Sequence, residues 1–349
     1  MPQSYRNSGS TTNFEQAMVG QAAFCEANGA PITGGVCRAL AAALDDSSET
    51  GRRARGWSGN YIADALPLRL VAPFHALHRS GSEPVLAPLF QGRDDGVQAI
   101  RDVVDRRDGW IARWLDGPPQ TNEPARSATF MAALAVLARR FGQPFELLEI
   151  GSSAGLNLLI DRFRYELGGA SFGPPDSPVV IAPEWRGAPL PPANVRIASV
   201  RGVDIAPLDA RVPETAERLL AYVWVDLPER IERVERAIVM QRERYVDLAQ
   251  GDAPDWLEER LAEPHTEGTM RVLQHSIVWQ YLGAERQARI TAAMEAAGLR
   301  ATPEHPLAWI KLEAVMPPHL VTLRVWPGGA EERVLATAHP HGSWIDWTG

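Results

Sequence analysis

The stretch EIGSSAGLNL combines glycines, serines and an acid at spacings that fit two different chemistries. Gly151, Ser153 and Gly155 form a G-x-S-x-G pattern, which in esterases places a serine nucleophile on a sharp turn. The same glycines, with Glu149 ahead of them, also fit a cofactor-binding turn after a strand. In that case glycine lets the backbone approach a ligand closely, and the following helix offers free N–H groups to a carboxylate or phosphate.

The residues around this stretch predict a strand, a tight turn and a helix in succession. The apolar run PFELLEIG ends in glycine, and LNLLIDRFRYE after it has helical spacing. Strand-like and helix-like runs then alternate from VRIASVRGVDIAP to LAWIKLEAV, and LVTLRVW and RVLATAHPHGSWIDW flank the turn sequence PGGAEE. This alternation predicts an α/β fold with a mostly parallel sheet and an antiparallel C-terminal hairpin.

The N-terminal part of the chain predicts a different organisation. From Phe14 to about Phe141 apolar residues recur at helical spacing, and no run alternates as a strand would. We therefore expect a helical region over residues 1–120 and a Rossmann-like domain over residues 121–349. A Pro-rich insertion at about residues 170–194 interrupts the second part.

Composition limits the classes of partner. The 349 residues carry a formal net charge of −8, which argues against broad binding of nucleic-acid phosphates. No apolar run approaches the roughly 20 residues that a membrane span needs, and the first residues lack a hydrophobic signal core. Cys25 and Cys37 are too few for a disulfide framework. We expect a cytoplasmic protein that acts on a small molecule without nucleic-acid or membrane partners, and the sequence leaves its oligomeric state open.

A serine hydrolase is one hypothesis for the GSSAG stretch. The chain order of Ser153, then Asp204 or Asp252, then His339 or His341 matches the order of the triad in α/β-hydrolases. An esterase nucleophile, however, follows several strands of an assembled sheet, and here GSSAG follows the first predicted strand. A nicotinamide-binding fingerprint is not matched either, because Ser153 stands where its second glycine belongs.

Three successive segments, ELLEIGSSAG, RGVDIAP and AQGDAPDWL, resemble the signatures of class I S-adenosylmethionine-dependent methyltransferases. The resemblance implies a three-layer Rossmann-like fold with S-adenosylmethionine as cofactor. It implies that the glycine turn holds the methionine end, that an acid after the second strand binds the ribose, and that an Asp-Ala pair after the third strand meets the adenine. The corresponding residues are Glu149, Gly151, Ser152 and Gly155 for the turn, Asp204 for the ribose, and Asp252 with Ala253 for the adenine.

Two of these acids also have a purely structural explanation. The Pro-rich insertion precedes Asp204 and could replace the second strand, in which case Asp204 is a turn or capping acid. Asp252 stands directly before a predicted helix and could cap it.

Over nearly its whole length the chain resembles a bacterial family known as domain of unknown function 2332. The segments TNEPARSA, APEWRG, HSIVWQYL and PHGSW carry this resemblance. It implies no particular activity, so the functional expectation rests on the methyltransferase-like segments.

Methyl transfer from a sulfonium is an in-line displacement that depends on positioning and needs no protein nucleophile. A base helps where the acceptor must lose a proton, and His275 near the end of the fourth strand is the candidate. That strand lacks the N/D-P-P-Y/F motif of methyltransferases acting on amide or nucleobase nitrogens, which argues against those acceptors. The candidate substrate-binding residues are Asn122, Glu123, Arg126 and Trp185, although Glu123 and Arg126 also fit an acid–base pair at a helix start.

Two further hypotheses concern metal binding and loss of catalysis. His339 and His341 in AHPHGSW have a metal-like spacing but no identifiable third ligand, so we predict no metal site. A protein that keeps the methyltransferase-like fold as a non-catalytic cofactor binder or scaffold is the remaining alternative.

Overall fold

The computed structural model describes most of the chain. The described residues are 13–244, 246–313, 319–328 and 331–349. They divide into two compact units. One unit runs to Thr121 and also takes in Pro213–Glu232, and the other comprises Asn122–Val212 and Arg233–Gly349.

Helices account for all the regular structure before Phe145 in the described residues. The α-helices are α1 (Phe14–Ala27), α2 (Pro31–Ala43), α3 (Glu49–Arg55), α4 (Leu66–Arg79), α5 (Ala87–Phe90), α6 (Val97–Ala112), α7 (Ser127–Phe141), α8 (Pro213–Ala221), α9 (Pro228–Glu243), α10 (Ala253–Ala262) and α11 (Trp279–Gly298). Asn13 and Gln16 form a capping box at the start of α1, which satisfies amides that a helix end leaves open. The carboxylate of Asp226 accepts the N–H groups of Ile32 and Thr33 at 2.7 and 2.9 Å and so caps α2 within the same unit.

The second unit is built around a large sheet. The strands are β1 (Phe145–Ile150), β2 (Arg164–Leu167), β3 (Ala170–Phe172), β4 (Val180–Ile181), β5 (Glu184–Gly187), β6 (Ile197–Asp204), β7 (Asp247–Gln250), β8 (Met270–Ser276), β9 (Leu307–Glu313), β10 (His319–Trp326), β11 (Arg333–Ala338) and β12 (Trp344–Trp347). Among the described residues nine of them form one sheet in the order β5-β12-β11-β10-β9-β8-β1-β6-β7. The mixed α/β class with a large, mostly parallel sheet is therefore confirmed.

The order of the parallel strands defines the topology. β7, β6, β1, β8 and β9 are parallel neighbours, and β10, β11 and β12 continue the sheet as antiparallel neighbours. Counted from β1 along the chain, the parallel part has the order 3-2-1-4-5, which is the order of a doubly wound dinucleotide-binding sheet. The predicted antiparallel hairpin near the C-terminus is present as β10 and β11.

Apolar side chains of alternate strand residues fix one face of this sheet against two helices. Leu148, Ile150 and Leu273 point to the same side as Trp309 and pack with buried residues of α10 and α11. Successive residues of a strand point to opposite faces, so Glu149 and Gln274 lie on the other face. This alternation decides which side chains meet at each strand end.

The helix predicted over LNLLIDRFRYE is wrong. Leu156–Leu159 form a short 3-10 helix, and the chain then enters strand β2. All of Leu156 to Ile160 is buried, including the polar Asn157, so this part of the stretch has no exposed face of the kind that an amphipathic surface helix shows. Gly168 and Gly169, both at positive φ, form the two-residue turn that joins β2 to β3.

The segment between β1 and β6 carries extra strands without displacing the second strand of the parallel order. β2, β3 and β4 form a small separate sheet, and β5 pairs in parallel with β12 at the far edge of the large one. β6 lies directly beside β1. In the part of the chain that the structure describes, no helix is long and apolar enough to cross a membrane.

Candidate functional site

The carboxyl ends of four neighbouring parallel strands bring together most of the ionisable residues of the candidate site. Asp204 ends β6, Glu149 is the last residue but one of β1, His275 holds the same place in β8, and Glu313 ends β9. β1 lies between β6 and β8, where the strand order reverses. Ligands of open α/β sheets bind at such a switch point, outside the carboxyl ends of the strands.

The GSSAG turn closes onto the neighbouring strand β6. The N–H and Oγ of Ser152 both donate to Val203 O at 3.1 Å, and the N–H of Ser153 donates to Asp204 Oδ2 at 2.8 Å. Ser153 has a φ of +53°, a conformation that non-glycine residues seldom adopt. The other oxygen of Asp204 accepts the N–H of Ala206 at 2.9 Å. Asp204 therefore fixes the turn and the loop after β6 together.

The two glycines of the turn face protein side chains in the direction in which a Cβ atom would project. A Cβ atom at Gly151 would lie 2.4 Å from Val278 Cγ2, and one at Gly155 would lie 3.1 Å from Leu248 Cδ2. Both residues have positive φ. Close packing and backbone conformation thus explain why glycine is required at both positions.

The expected helix N-terminus with free amides after the turn is absent. The N–H of Gly155 donates to Ser152 O at 2.7 Å, and the N–H of Leu156 donates to Asn122 Oδ1 at 2.8 Å. Asn122 is thus placed at the turn, as a partner of its backbone. The 3-10 helix that follows is too short to supply the aligned amides that hold an anion.

Glu149 and Gln274 face each other across the switch point on adjacent strands. Both side chains are buried. Burial raises the pKa of Glu149 to about 8, although the charge of Arg126 acts in the opposite direction. Glu149 Oε2 and both polar atoms of the Gln274 amide have no hydrogen-bond partner among the described residues. Buried polar groups of this kind call for a partner such as a ligand or water.

His275 and Glu313 form a buried pair on the opposite face. His275 Nδ1 lies 2.7 Å from Glu313 Oε1, and the same oxygen accepts the N–H of Val278 at 3.1 Å. The imidazole stacks on Trp279 with ring centroids 5.2 Å apart. Ile277, between these residues, has a φ of +54°, which is an outlier for a β-branched residue.

The TNEPAR and PHGSW segments contact each other on the side of the sheet where the parallel strands have their carboxyl ends. Arg126 Nε donates to Pro340 O at 2.8 Å, and a Cβ atom at Gly342 would lie 2.4 Å from Ala125 O. Glu123 accepts the N–H of Ala125 at 3.1 Å and Arg233 Nε at 3.0 Å, with its side chain fully buried. Arg126, which is buried, influences both Glu149 and His319 electrostatically.

Three predicted residues lie apart from this group or have other partners. Asp252 stands at the start of α10 but makes no capping bond there; its carboxylate binds Arg286 Nε at 2.7 and 2.8 Å. Ala253 is buried as the first residue of α10. Trp185 lies on β5, six strands from β1 and thus roughly 29 Å away along the sheet. Its indole contacts Trp347 and donates to Ala188 O.

The histidines of AHPHGSW lie next to each other in the loop between β11 and β12. The ring centroids of His339 and His341 are 5.4 Å apart, and His339 Nδ1 accepts the N–H of His341 at 3.2 Å. Within the described ranges no three His, Cys, Asp or Glu side chains are grouped so as to hold a metal ion.

Sequence reasoning missed Gln274 and Glu313. The sequence does indicate their position, because both are polar residues near the carboxyl ends of predicted strands, where parallel sheets place their sites. The register that sets Gln274 opposite Glu149, and Glu313 beside His275, is long-range information that the local sequence does not contain.

Comparison with known proteins identifies the family. No curated protein and no solved structure matches the chain. The family model described as "Uncharacterized protein conserved in bacteria (DUF2332)" matches residues 15–347, which is nearly the whole chain. All four segments that carry the family resemblance fall within that match. The chain therefore belongs to the DUF2332 family.

Proposed function

We propose that this protein is an S-adenosylmethionine-dependent methyltransferase that acts on a small molecule. One observation carries the proposal: a glycine turn follows β1 at the reversal of strand order, and the acid that ends the adjacent strand β6 is bonded to that turn. A nucleoside ligand of a doubly wound sheet is held at this position, with an acidic side chain on its ribose.

Two features of the site support binding of this cofactor. Each oxygen of Asp204 accepts one backbone N–H, and a carboxylate oxygen has a second lone pair that is available to a ribose hydroxyl. Glu149 and Gln274 offer buried polar atoms without partners in the described part of the chain. An ammonium group such as that of the methionine end would favour the ionised form of Glu149 and so lower its raised pKa.

Two features limit how the ligand is held. The amides of Ser153, Gly155 and Leu156 already donate within the protein, so the methionine carboxylate needs another partner, for which the candidate is the buried Arg126, whose charge acts on Glu149. Asp252 is engaged by Arg286, so an adenine contact at this point would come from Ala253 or the backbone. The proposed cofactor residues are therefore Glu149, Asp204 and Gln274, with the turn as their support.

The cofactor, when bound, supplies an electrophilic methyl group on a sulfonium. The chain needs to hold the acceptor atom about 3–3.5 Å from that group and in line with it, and to exclude water from the reacting atoms. The buried strand ends around Glu149 and His275 provide a water-poor environment for this step.

A serine hydrolase is the second candidate, because Ser153 has the positive φ expected of a serine on a strained turn. Two observations make it the weaker one. GSSAG follows the first strand of the sheet, and both candidate acids are engaged elsewhere, Asp204 by backbone N–H groups and Asp252 by Arg286. A non-catalytic binder shares the cofactor site with the first candidate and differs from it only in turnover.

Isothermal titration calorimetry of the full chain with S-adenosylhomocysteine tests the proposal. We expect saturable binding, with about 2.7 kcal/mol of added stability at a hundredfold excess over the dissociation constant. Failure to bind either S-adenosylhomocysteine or S-adenosylmethionine would refute the proposal. Binding without methyl transfer to any acceptor of a broad panel would favour the non-catalytic binder.

A further inference from the structure

The pair formed by His275 and Glu313 has the geometry of a proton acceptor with a fixed orientation. His275 is fully buried and Glu313 nearly so, and their Nδ1–Oε1 distance of 2.7 Å is short for a nitrogen–oxygen hydrogen bond. Glu313 is held in turn by the N–H of Val278. A carboxylate that is already bound to one donor accepts the hydrogen of Nδ1 in a defined direction.

This arrangement determines which imidazole nitrogen is free. When Nδ1 carries the hydrogen that Glu313 accepts, the lone pair of the neutral ring is on Nε2. Nε2 is buried and has no hydrogen-bond partner within the described ranges. A buried acceptor without a donor is costly, and a ligand with a donor group would relieve that cost.

The position of the pair links it to the proposed cofactor site. Val278, whose N–H binds Glu313, packs against Gly151 of the glycine turn. Ile277, between His275 and Val278, has a strained backbone conformation of the kind that clusters at functional sites. Trp279 covers the imidazole and is itself half-buried, so the ring lies one aromatic layer below the surface.

We infer that His275 Nε2 is the catalytic base of the proposed methyl transfer, that Glu313 is its positioning residue, and that the methyl acceptor is a hydroxyl compound. The inference rests on the proposed function and names the substrate class of the same site. Among acceptors, a hydroxyl group depends most on a base at the site, since it is a weak nucleophile until its proton is removed, whereas thiols and amines reach their nucleophilic forms more readily by losing a proton to water. Thioethers and tertiary amines have no proton to lose, and carboxylic acids have already lost theirs at neutral pH.

The chemical step balances without a further reagent. The hydroxyl proton moves to His275 Nε2 while the oxygen forms a bond to the methyl carbon, and the carbon–sulfur bond breaks with its electron pair remaining on sulfur. Glu313 stabilises the imidazolium that results, because the carboxylate lies against Nδ1–H. The proton then leaves to solvent after the product has dissociated.

The first test measures the protonation of the two ring nitrogens by ¹⁵N NMR of the full chain with labelled histidine. At pH 7 we expect His275 to carry hydrogen on Nδ1 and none on Nε2. In Glu313→Gln the amide both donates and accepts, so the ring should divide between the two tautomers. Hydrogen on Nε2 in the wild-type protein would overturn the inference. This result does not depend on whether S-adenosylhomocysteine binds, which separates it from a failure of the proposed function.

The second test measures transfer of labelled methyl from S-adenosylmethionine to a matched panel. Phenol, catechol and benzyl alcohol carry hydroxyl groups, whereas thioanisole and N,N-dimethylaniline have no proton to lose. We expect transfer to hydroxyl members only, with kcat about 10²–10⁴-fold lower in His275→Ala. KM and the affinity for S-adenosylhomocysteine should stay unchanged. The control is His265→Ala, which replaces a histidine in the loop before β8, at the amino end of that strand.

Each outcome of the panel decides the question. Transfer to the hydroxyl members that is lost in His275→Ala and reduced in Glu313→Gln supports the inference. Transfer that His275→Ala leaves unchanged, transfer to the members without a proton, or no transfer to any hydroxyl member overturns it. If S-adenosylhomocysteine also fails to bind, the proposed function fails with it.

Discussion

The backbone N–H of Ser153 donates a 2.8 Å hydrogen bond to the carboxylate of Asp204, and this bond joins the turn after β1 to the end of β6. Asp204 also accepts the N–H of Ala206. The acid that the proposed function assigns to the ribose therefore has a structural task as well. Substitutions of Asp204 therefore have to distinguish its proposed contact with the ribose from its structural role in holding the turn.

Asp204→Asn and Asp204→Ala should differ in a way that separates them. The amide of asparagine keeps one oxygen acceptor for Ser153 N–H but loses the charge, whereas alanine loses both. We expect Asp204→Asn to weaken S-adenosylhomocysteine binding by a factor of about 10–150, from the roughly 1.5–3 kcal/mol of a charge-assisted hydrogen bond. Its urea midpoint should fall less than that of Asp204→Ala, because asparagine gives up only the acceptor for Ala206 N–H, whereas alanine gives up both acceptors. Calorimetry and urea unfolding measure the two effects.

The control for Asp204 is Asp247→Asn, which changes an exposed aspartate at the amino end of the neighbouring strand β7. It should leave binding unchanged. Equal affinity in Asp204→Asn and the wild-type protein would remove Asp204 from the cofactor site and leave it with its structural task alone.

Three glycines at positive φ should lose different amounts of stability when replaced by alanine. They are Gly142 at the end of α7, and Gly151 and Gly155 of the turn. Gly142 has a φ of +70° and open space where a Cβ would stand, so Gly142→Ala should cost only the roughly 1–2 kcal/mol of the left-handed conformation. Gly151→Ala adds a clash with Val278 and should cost about 1–3 kcal/mol more. Gly155→Ala should lie between them, because its contacts are longer. Urea unfolding gives the three values, and equal costs at all three sites would contradict the packing explanation.

The sequence predicts the parts of the fold that depend on local periodicity. β1, β6, α9, α10, β8, α11 and β9 lie where the alternation of apolar runs indicates them. The helix predicted after GSSAG is wrong, because the end of LNLLIDRFRYE pairs as strand β2 in a hairpin that turns at Gly168 and Gly169. β5 joins β12 from about 160 residues away in the chain, and no local pattern indicates that pairing.

The candidate site was predictable in the same partial way. Glu149, Asn122, Asp204 and His275 do lie at one edge of the sheet, since strand ends and a glycine turn are visible in the sequence. Which atoms these residues bind is decided by register and packing. Asp252 engages Arg286 on another helix, and Trp185 lies on the far edge strand, and the sequence indicates neither arrangement.

Glu149 should make stability depend on pH. Its pKa is raised to about 8 in the folded protein, so between its unfolded pKa near 4.5 and pH 8 the folded state binds one proton more than the unfolded state. The contribution of Glu149 to the free energy of unfolding has its full value below that pH window. It falls as pH rises through the window, by about 1.4 kcal/mol per pH unit. Glu149→Gln stays neutral and should lack this loss.

Urea unfolding at pH 5, 6.5 and 8 gives the free energy of unfolding of the wild-type protein and of Glu149→Gln. The effect of Glu149 is the change with pH in the difference between these two free energies. Glu304→Gln, at an exposed glutamate, is the control and should follow the wild-type curve. Bound S-adenosylhomocysteine should flatten the wild-type dependence if its ammonium pairs with the ionised carboxylate. Parallel curves for Glu149→Gln and the wild-type protein would show that Glu149 is ionised in the folded state at neutral pH.

Ser153 should be unreactive toward a fluorophosphonate probe. An esterase nucleophile follows several strands of an assembled sheet, whereas Ser153 follows the first strand, and both acids of the hydrolase hypothesis have other partners: Asp204 accepts backbone N–H groups, and Asp252 binds Arg286. The positive φ of Ser153 then reflects the tight connection to β6. We therefore expect Ser153→Gly, which relieves the φ strain and keeps the amide, to raise the free energy of unfolding by about 1 kcal/mol. Ser152→Ala is the matched control for labelling. Covalent labelling that disappears in Ser153→Ala and persists in Ser152→Ala would establish the hydrolase and displace the methyltransferase proposal.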